Sequence, residues 1–442
     1  ADCADASGTT VTISTSCTAL SISGDVTNLT INSGITIDKA GKGAVDIGDY
    51  TVTNFTNDGR IETTGSKSHY ALRHTGSGGY IGHLINTGVI TSVERYGIST
   101  SSTSAGIGTI ENTGTISAVT RSGLRNYEST IVTITNSGTI SAGTDFGLEN
   151  IGTAALITKL TNSGTISSGG AGAAGAADGD GDDDGDDYDN GLWNNGTITE
   201  LTNSGFIKAG DEFGLKNVNG GTITTLNNSG TISAGTNFGI KNDKSASPTT
   251  ISSLDNSGFI KALRGHSGLW NDGTITTLTN SGTISAGTDN GIKNIGTITT
   301  LENSGTISAG DEYGIWNESD TNGARIGTIT TLTNTSTGEI KAASLGIYSR
   351  QNSIITTLTN RGKIWATGSN PIGIYNYSST ITTLNNSQGV YRFGGVDPVV
   401  LTYKGTLPTN YNVIVNGTDD YGKITFSNAS GTTNFGVHST ST

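Results

Sequence analysis

Isolated apolar residues recur along this chain between threonine, serine and asparagine, and the pattern repeats. The best-preserved unit reads Leu226-Asn227-Asn228-Ser229-Gly230-Thr231-Ile232-Ser233-Ala234-Gly235, then Phe238-Gly239-Ile240-Lys241-Asn242, with near-copies at Leu278 to Asn294 and Leu301 to Asn317. Each unit contains three short stretches of period-two character: Thr-Ile-Thr-Thr-Leu, Gly-Thr-Ile-Ser, and aromatic-Gly-Ile-Lys-Asn. Alternation over so few residues predicts short strands. Glycine and asparagine lie between them and tolerate the left-handed backbone values that sharp corners use.

An Asn-x-Gly element sets the repeat, at Asn57, Asn86, Asn112, Asn136, Asn162, Asn203, Asn228, Asn256, Asn280 and Asn303, with looser copies at Asn32, Asn334, Asn360 and Asn386. Most spacings fall near 25 residues. Strands this short cannot bury an apolar face alone, so each unit must stack on the next. Three strands in about 25 residues make one coil of an all-β, right-handed parallel β-helix, a β-solenoid. Leu226, Ile232 and Ile240 then point inward, with Leu278, Ile284, Ile292 and Leu301, Ile307, Ile315 stacked in the same columns at ~4.8 Å. Asparagines at two fixed phases, such as Asn280 and Asn294, are expected to bond to their equivalents one coil away, satisfying buried amides through the repeat itself. About fourteen coils would extend roughly 65 Å.

An exposed end of such a stack recruits other chains unless capped. Residues 1–25, in which a Cys3–Cys17 disulfide would close a small hairpin-like loop, are expected to form an N-terminal cap. Residues 26–389 form the helix, and 390–442 lose the Asn-Ser-Gly phase and read as C-terminal capping strands, with larger side chains plugging the core. The cysteine pair points to an oxidising compartment. A start at Ala1 without a leader is compatible with a processed secreted protein.

Composition narrows the partners. Charged residues are 14% of the chain, and 24 Lys and Arg against 37 Asp and Glu leave a net charge of −13, which repels phosphate backbones and sets nucleic acid aside. No apolar run approaches the ~18 residues of a membrane-crossing helix.

Several residue groups invite chemistry. The long interval between Asn162 and Asn203 expels an acidic loop, 169–190, in which Asp180, Asp182, Asp184 and Gly185 match the start of an Asp-x-Asp-x-Asp-Gly calcium loop, with Asp186 a further candidate ligand. The distal Glu is missing, so diffuse cation attraction competes with a true site. No cofactor is required, and calcium is the one to test. Nine residues after the repeat asparagine lie Arg95, Arg121, Asp145, Glu212, Asn237, Asp289 and Glu312. Asp289 and Glu312 fall on consecutive coils at a spacing that a carboxylate pair for glycoside hydrolysis would need, yet the mixed column reads as a solvated edge. Tyr96, Phe146, Phe213, Phe238 and Tyr313 follow; they either cover a glycine corner or form a sugar-stacking strip. His69, His74 and His83 crowd one coil but match no metal or catalytic motif.

The Asn-Ser-Gly-Thr-Ile-Ser-Ala-Gly repeats at 136–143, 280–287 and 303–310, with the closing Leu401-Thr402-Tyr403-Lys404-Gly405 and Asp420-Tyr421-Gly422-Lys423-Ile424, resemble the passenger region of Gram-negative type V autotransporters. That resemblance implies export, display at the cell surface, attachment to the membrane only through a C-terminal translocator barrel not contained in this sequence, and a role in aggregation, attachment or biofilm formation. The expected function is an extracellular adhesin stalk without catalysis. Its partner would be the same protein on a neighbouring cell, or a host glycan or matrix protein. The alternatives are a carbohydrate-binding or carbohydrate-active β-helix protein and, less directly, an ice- or crystal-facing Thr-x-Thr array.

Overall fold

A computed structural model describes the whole chain except residues 1, 4, 42, 66–68, 102, 105, 170–188, 245–246, 321–324, 370, 390–399 and 442. The chain divides into two compact units, Ala1–Leu226 with Gly230–Gly235, and Asn227–Ser229 with Thr236–Thr442. Each is a parallel β-solenoid whose coils carry three strands. In the coil beginning at Thr274, these are Thr274–Asn280, Thr283–Ala286 and Asn290–Asn294, hereafter the first, second and third faces.

Within each unit, strands pair in parallel with their equivalents one coil away, so like residues superpose. In the second unit, Ile275, Ile298, Ile329, Ile355 and Ile381 form one inward column, and Leu278, Leu301, Leu332, Leu358 and Leu384 another. The second face stacks Ile284, Ile307, Ile340 and Ile364; the third stacks Leu269, Ile292, Ile315, Ile347 and Ile374. The first unit repeats the scheme, with Ile116, Ile140, Ile166, Ile207 and Ile232 on its second face and Leu124, Leu148, Leu192 and Leu215 on its third. All these side chains are buried. β-Branched residues suit the arrangement because they pack in columns on extended backbone at little rotamer cost.

Two features differ from expectation. The first-face strand is not a simple alternation: Ile275 and Leu278 point inward three residues apart, and Thr276 and Thr277 both point outward. The strand therefore bends there, and Thr276 forms an exposed ridge. The glycine of the Ser-Gly corner is also required for a different reason. Gly282 does not have positive φ. Instead, a Cβ at Gly282 would sit 2.2 Å from the carbonyl oxygen of Gly258 in the preceding coil, so the corners stack too closely for any side chain.

Asparagine ladders follow two corners of each unit. At the end of the first face, Nδ2 of Asn57, Asn86, Asn112 and Asn136 donates to Oδ1 of the next asparagine at 2.7 Å. In the second unit Asn228, Asn256, Asn280, Asn303 and Asn334 do the same at 2.7–2.9 Å. A second ladder closes the third face, through Asn126, Asn150, Asn194 and Asn217, and through Asn242, Asn271, Asn294 and Asn317. The second amide hydrogen reaches backbone carbonyls, as from Asn280 to Gly282 and Thr306. Asn32 is not a member. Ile31 pairs with Asn57, and the Oδ1 of Asn57 is left without a partner.

The ends differ from the middle. Cys3 and Cys17 form a disulfide with Cα atoms 5.2 Å apart. The intervening strand, Ala6–Ile13, pairs in parallel with Leu20–Ile31, so the enclosed segment is a coil fragment and not a hairpin-like loop. Toward the C-terminus, Leu401–Thr406, Asn410–Val413, Ile424–Ser430 and Asn434–Val437 continue the third and first faces in parallel. Buried Tyr403 and Tyr411 occupy the core where earlier coils place Ile or Leu, with Phe426 and Phe435 packed edge-on against them. Among the described residues, the last strand of the second face is Lys363–Ala366. A side chain bonds along its edge: Gln388 Oε1 accepts from Ile364 N–H at 2.9 Å, and Gln388 Nε2 donates to Ile364 C=O at 3.2 Å. Gln388 thus imitates the next strand, and it also accepts from the ladder residue Asn360 at 2.9 Å.

Replacing Gln388 by Ala leaves these groups unsatisfied in a buried place, at a cost of about 2 kcal/mol. Hydrogen exchange at 360–366 should accelerate roughly 30-fold, while exchange in the first unit stays unchanged. Asn280→Ala interrupts the ladder between Asn256 and Asn303. It should likewise raise exchange in the coils on both sides, and Asn280→Asp should do so more severely, because an acceptor-only group cannot replace the donated bonds.

Candidate functional site

The acidic residues proposed as calcium ligands, Asp180, Asp182, Asp184 and Asp186, lie outside the described residues. The edge column is described, and its members are engaged. Asp289 accepts from the Thr288 hydroxyl at 3.0 Å and pairs with His266 Nδ1 at 3.0 Å. Glu312 stands one coil away, where Tyr313 N–H donates to the Asp289 carbonyl. Burial raises the Glu312 pKa, Asp289 adds to the rise, and Lys293 and Arg350 oppose it. Asp145, in the first unit, is pushed up to about 6 by burial, against the Thr144 hydroxyl and Arg121.

Rings that precede the repeated glycine are packing elements. Tyr96, Phe146 and Phe213 are buried, and Phe238 and Tyr313 are half-buried. They lie against a column that the repeat alignment did not single out: the outward residue of the third face, two positions after that glycine. In the second unit it reads Lys241, Trp270, Lys293, Trp316, Tyr348, Tyr375 and Lys404, in continuous register. Cations lie over ring faces, with Lys241 4.5 Å from the Trp270 centroid, Lys293 4.1 Å and Arg350 4.7 Å from Trp316, and Lys404 4.7 Å from Tyr375. Tyr348 and Tyr375 stack at 5.3 Å. The same cations are held by carboxylates, Lys241 by Asp243 at 2.9 Å and Lys293 and Arg350 by Glu318 at 3.1 and 2.8 Å. Two cations therefore lie on the Trp316 ring, one from the preceding coil and one from the following coil, and compete with any sugar for its faces. That geometry favours a braced surface over a sugar-stacking strip.

The first unit has a denser version. Arg125 lies 4.9 Å over Tyr96 and 3.6 Å from Glu149, which accepts from Ser122 at 2.6 Å. Lys216 is buried between Trp193 and Phe213, 4.5 and 5.0 Å from their centroids. The histidines of the neighbouring coil do not converge. His74 is buried in the third-face ladder column, pairs in register with Thr100, and has its pKa lowered by desolvation. His83 faces outward on the first face, 3.1 Å from Glu111. Among the described residues, no three His, Cys, Asp or Glu side chains group as metal ligands.

The first face carries the plainest surface. Thr276, Thr299, Thr330 and Thr356 form an exposed ridge, and Thr277, Thr300, Thr331, Thr357 and Thr383 run beside it in register. The bend between the two rows makes the face convex, which removes the flat lattice match that an ice-facing array requires.

The chain matches no family model, no curated protein and no solved structure.

Asp145 yields a test of the edge column. Its folded pKa of about 6 lies above its ordinary 3.8, so the fold favours the protonated form. The stability contributed by that preference is complete below pH 4 and lost as pH rises through 6. Asp145→Asn should therefore stabilise the first unit at pH 8 by on the order of 1 kcal/mol, reduced by the loss of the Arg121 interaction, and should give no gain at pH 4. Thermal unfolding at the two pH values checks this, and an equal shift at both would contradict it.

Proposed function

We propose that this chain is an extracellular adhesin of the kind displayed by Gram-negative type V autotransporters, acting without catalysis in cell-cell aggregation or surface attachment. The observation that carries this reading is the threonine ridge of the second unit. Thr276, Thr299, Thr330 and Thr356 repeat a small, uncharged donor and acceptor at one strand spacing, ~4.8 Å. A hydroxyl contact is weak alone. Held rigidly in register, many such contacts form together once the first has formed, and affinity rises through avidity.

The same protein on a neighbouring cell is the favoured partner, since two identical ridges are self-complementary. A host glycan or matrix protein is the other. The β-solenoid and its N-terminal disulfide support export to an oxidising compartment and display at a cell surface. A net charge of −13 opposes close approach, and salt or divalent cations, including calcium at the 169–190 segment, would relieve it.

Cells of a non-aggregating bacterium displaying the chain should settle faster than controls, more slowly in chelator, and no faster than controls when Thr276, Thr299, Thr330 and Thr356 are all changed to Asp. Circular dichroism of the purified variant should be unchanged. Displayed cells that neither clump nor bind glass, matrix protein or glycan would eliminate the adhesin reading.

A further inference from the structure

Corners between the third and first faces differ in length within the second unit, and the difference makes a cavity. At Asp272–Gly273 and Ile295–Gly296 the chain turns within two residues, whereas the flanking coils place Lys244, Pro248 and Thr249 on one side and Arg325 and Ile326 on the other. The short corners form a recessed floor two coils wide, and these residues form its walls. Both walls are tied by hydrogen bonds: Thr249 Oγ1 donates to Asp243 O at 2.8 Å, and Asp320 and Arg325 exchange a backbone bond at 3.0 Å and a side-chain bond at 3.2 Å. The cavity between them measures about 180 Å³.

Its lining has a defined chemistry. Asp272 rises from the floor at 3% exposure. Its Oδ2 pairs with the Arg325 guanidinium, while Oδ1 is buried without a hydrogen-bond partner. A buried carboxylate oxygen in that state costs free energy that a ligand O–H or N–H recovers on binding. Lys244 lines the opposite wall and is exposed. Thr274 and Thr297, one above the other in register, also line the floor, and Ile295, Ile326 and Pro248 supply apolar contact. Among the lining side chains, two cations, Lys244 and Arg325, stand against one carboxylate, Asp272.

We propose that this cavity binds a single acidic sugar ring, a hexuronate. Asp272 Oδ1 and the two threonines would take ring hydroxyls, Lys244 with the free side of Arg325 would hold the carboxylate, and Ile326 would cover a C–H face of the ring. The volume fits one pyranose ring, and the open side leaves room for the rest of a longer saccharide outside. A neutral sugar leaves the cations unmatched, and an amino acid leaves the threonines unmatched. Nothing in this assignment depends on the adhesin reading, because the cavity opens at a corner and not on the threonine ridge.

Saturation-transfer NMR and calorimetry on the full chain test it, with D-glucuronate, D-galacturonate, D-glucose and glycine as probes, and a uronate-containing tetrasaccharide beside the free acids. One of the two uronates should bind saturably, and glucose and glycine at least about tenfold more weakly. Equal or tighter binding of the tetrasaccharide identifies a polysaccharide as the source of the ring; weaker binding identifies the free acid. Lys244→Gln, an exposed change, and Asp272→Asn should each weaken uronate binding about tenfold. Absence of saturable uronate binding overturns the proposal. So does uronate affinity unaltered in Lys244→Gln, which decides the matter even where Asp272→Asn disturbs folding, and so does equal affinity for glucose or glycine.

Discussion

A carboxamide withdrawn wholly from water needs partners for its two N–H bonds and its carbonyl, and in this protein the partner is the same residue one coil away. That requirement governs the rest. For Asn280 to donate to Asn303 at 2.8 Å, the two coils must superpose at the end of the first face, and the third-face ladder imposes the same condition at a second point of the circuit. Two fixed points set the register of the intervening strands, so inward Ile and Leu fall on Ile and Leu and the backbone ladders close. The condition also explains the corner glycines, because coils held this closely leave no room for a Cβ at Gly282.

Outward positions are free of that condition and have diverged into two kinds of surface. The first face carries hydroxyls and few charges. On the third face, cations, rings and carboxylates brace one another from coil to coil, as in the Lys293, Trp316, Arg350 and Glu318 group. Exposed ion pairs contribute little singly. When a cation also lies on a ring and is partly desolvated, the contact strengthens, and the third face gains stiffness. A convex hydroxyl surface and a braced charged one on the same coil suit different neighbours.

How much could be read from residues alone follows this division. Features fixed by superposition were legible: the inward columns at Leu226, Ile232 and Ile240, the two asparagine phases, and the Cys3–Cys17 pair. Features arising from three-dimensional accidents of packing were not. The bend at Thr276 is hidden because Ile and Leu are equally apolar whether two or three residues apart. Asn32 misled because the Asn-x-Gly signature is present while Ile31 holds the ladder position. The Lys241 to Lys404 column was present in the alignment, two residues beyond each repeated glycine, but its alternation of cation and ring has no meaning until stacking brings them into contact. Gln388 bears no local mark of a cap, since its partners at Ile364 and Asn360 lie more than twenty residues away.

Bonds within the first-face ladder span from 23 residues, between Asn280 and Asn303, to 41, between Asn162 and Asn203, and their lengths are nearly the same, 2.8 and 2.7 Å. Chain length between superposed points is thus almost without mechanical consequence, since closing a longer corner costs an entropy that grows only with the logarithm of its length. The corners are natural splice points. A foreign peptide, or an inherited duplication, inserted beside Asp272 or Ile295 would be displayed outward while the coils beneath it kept their register, and the same insertion within a strand would throw every later asparagine out of line.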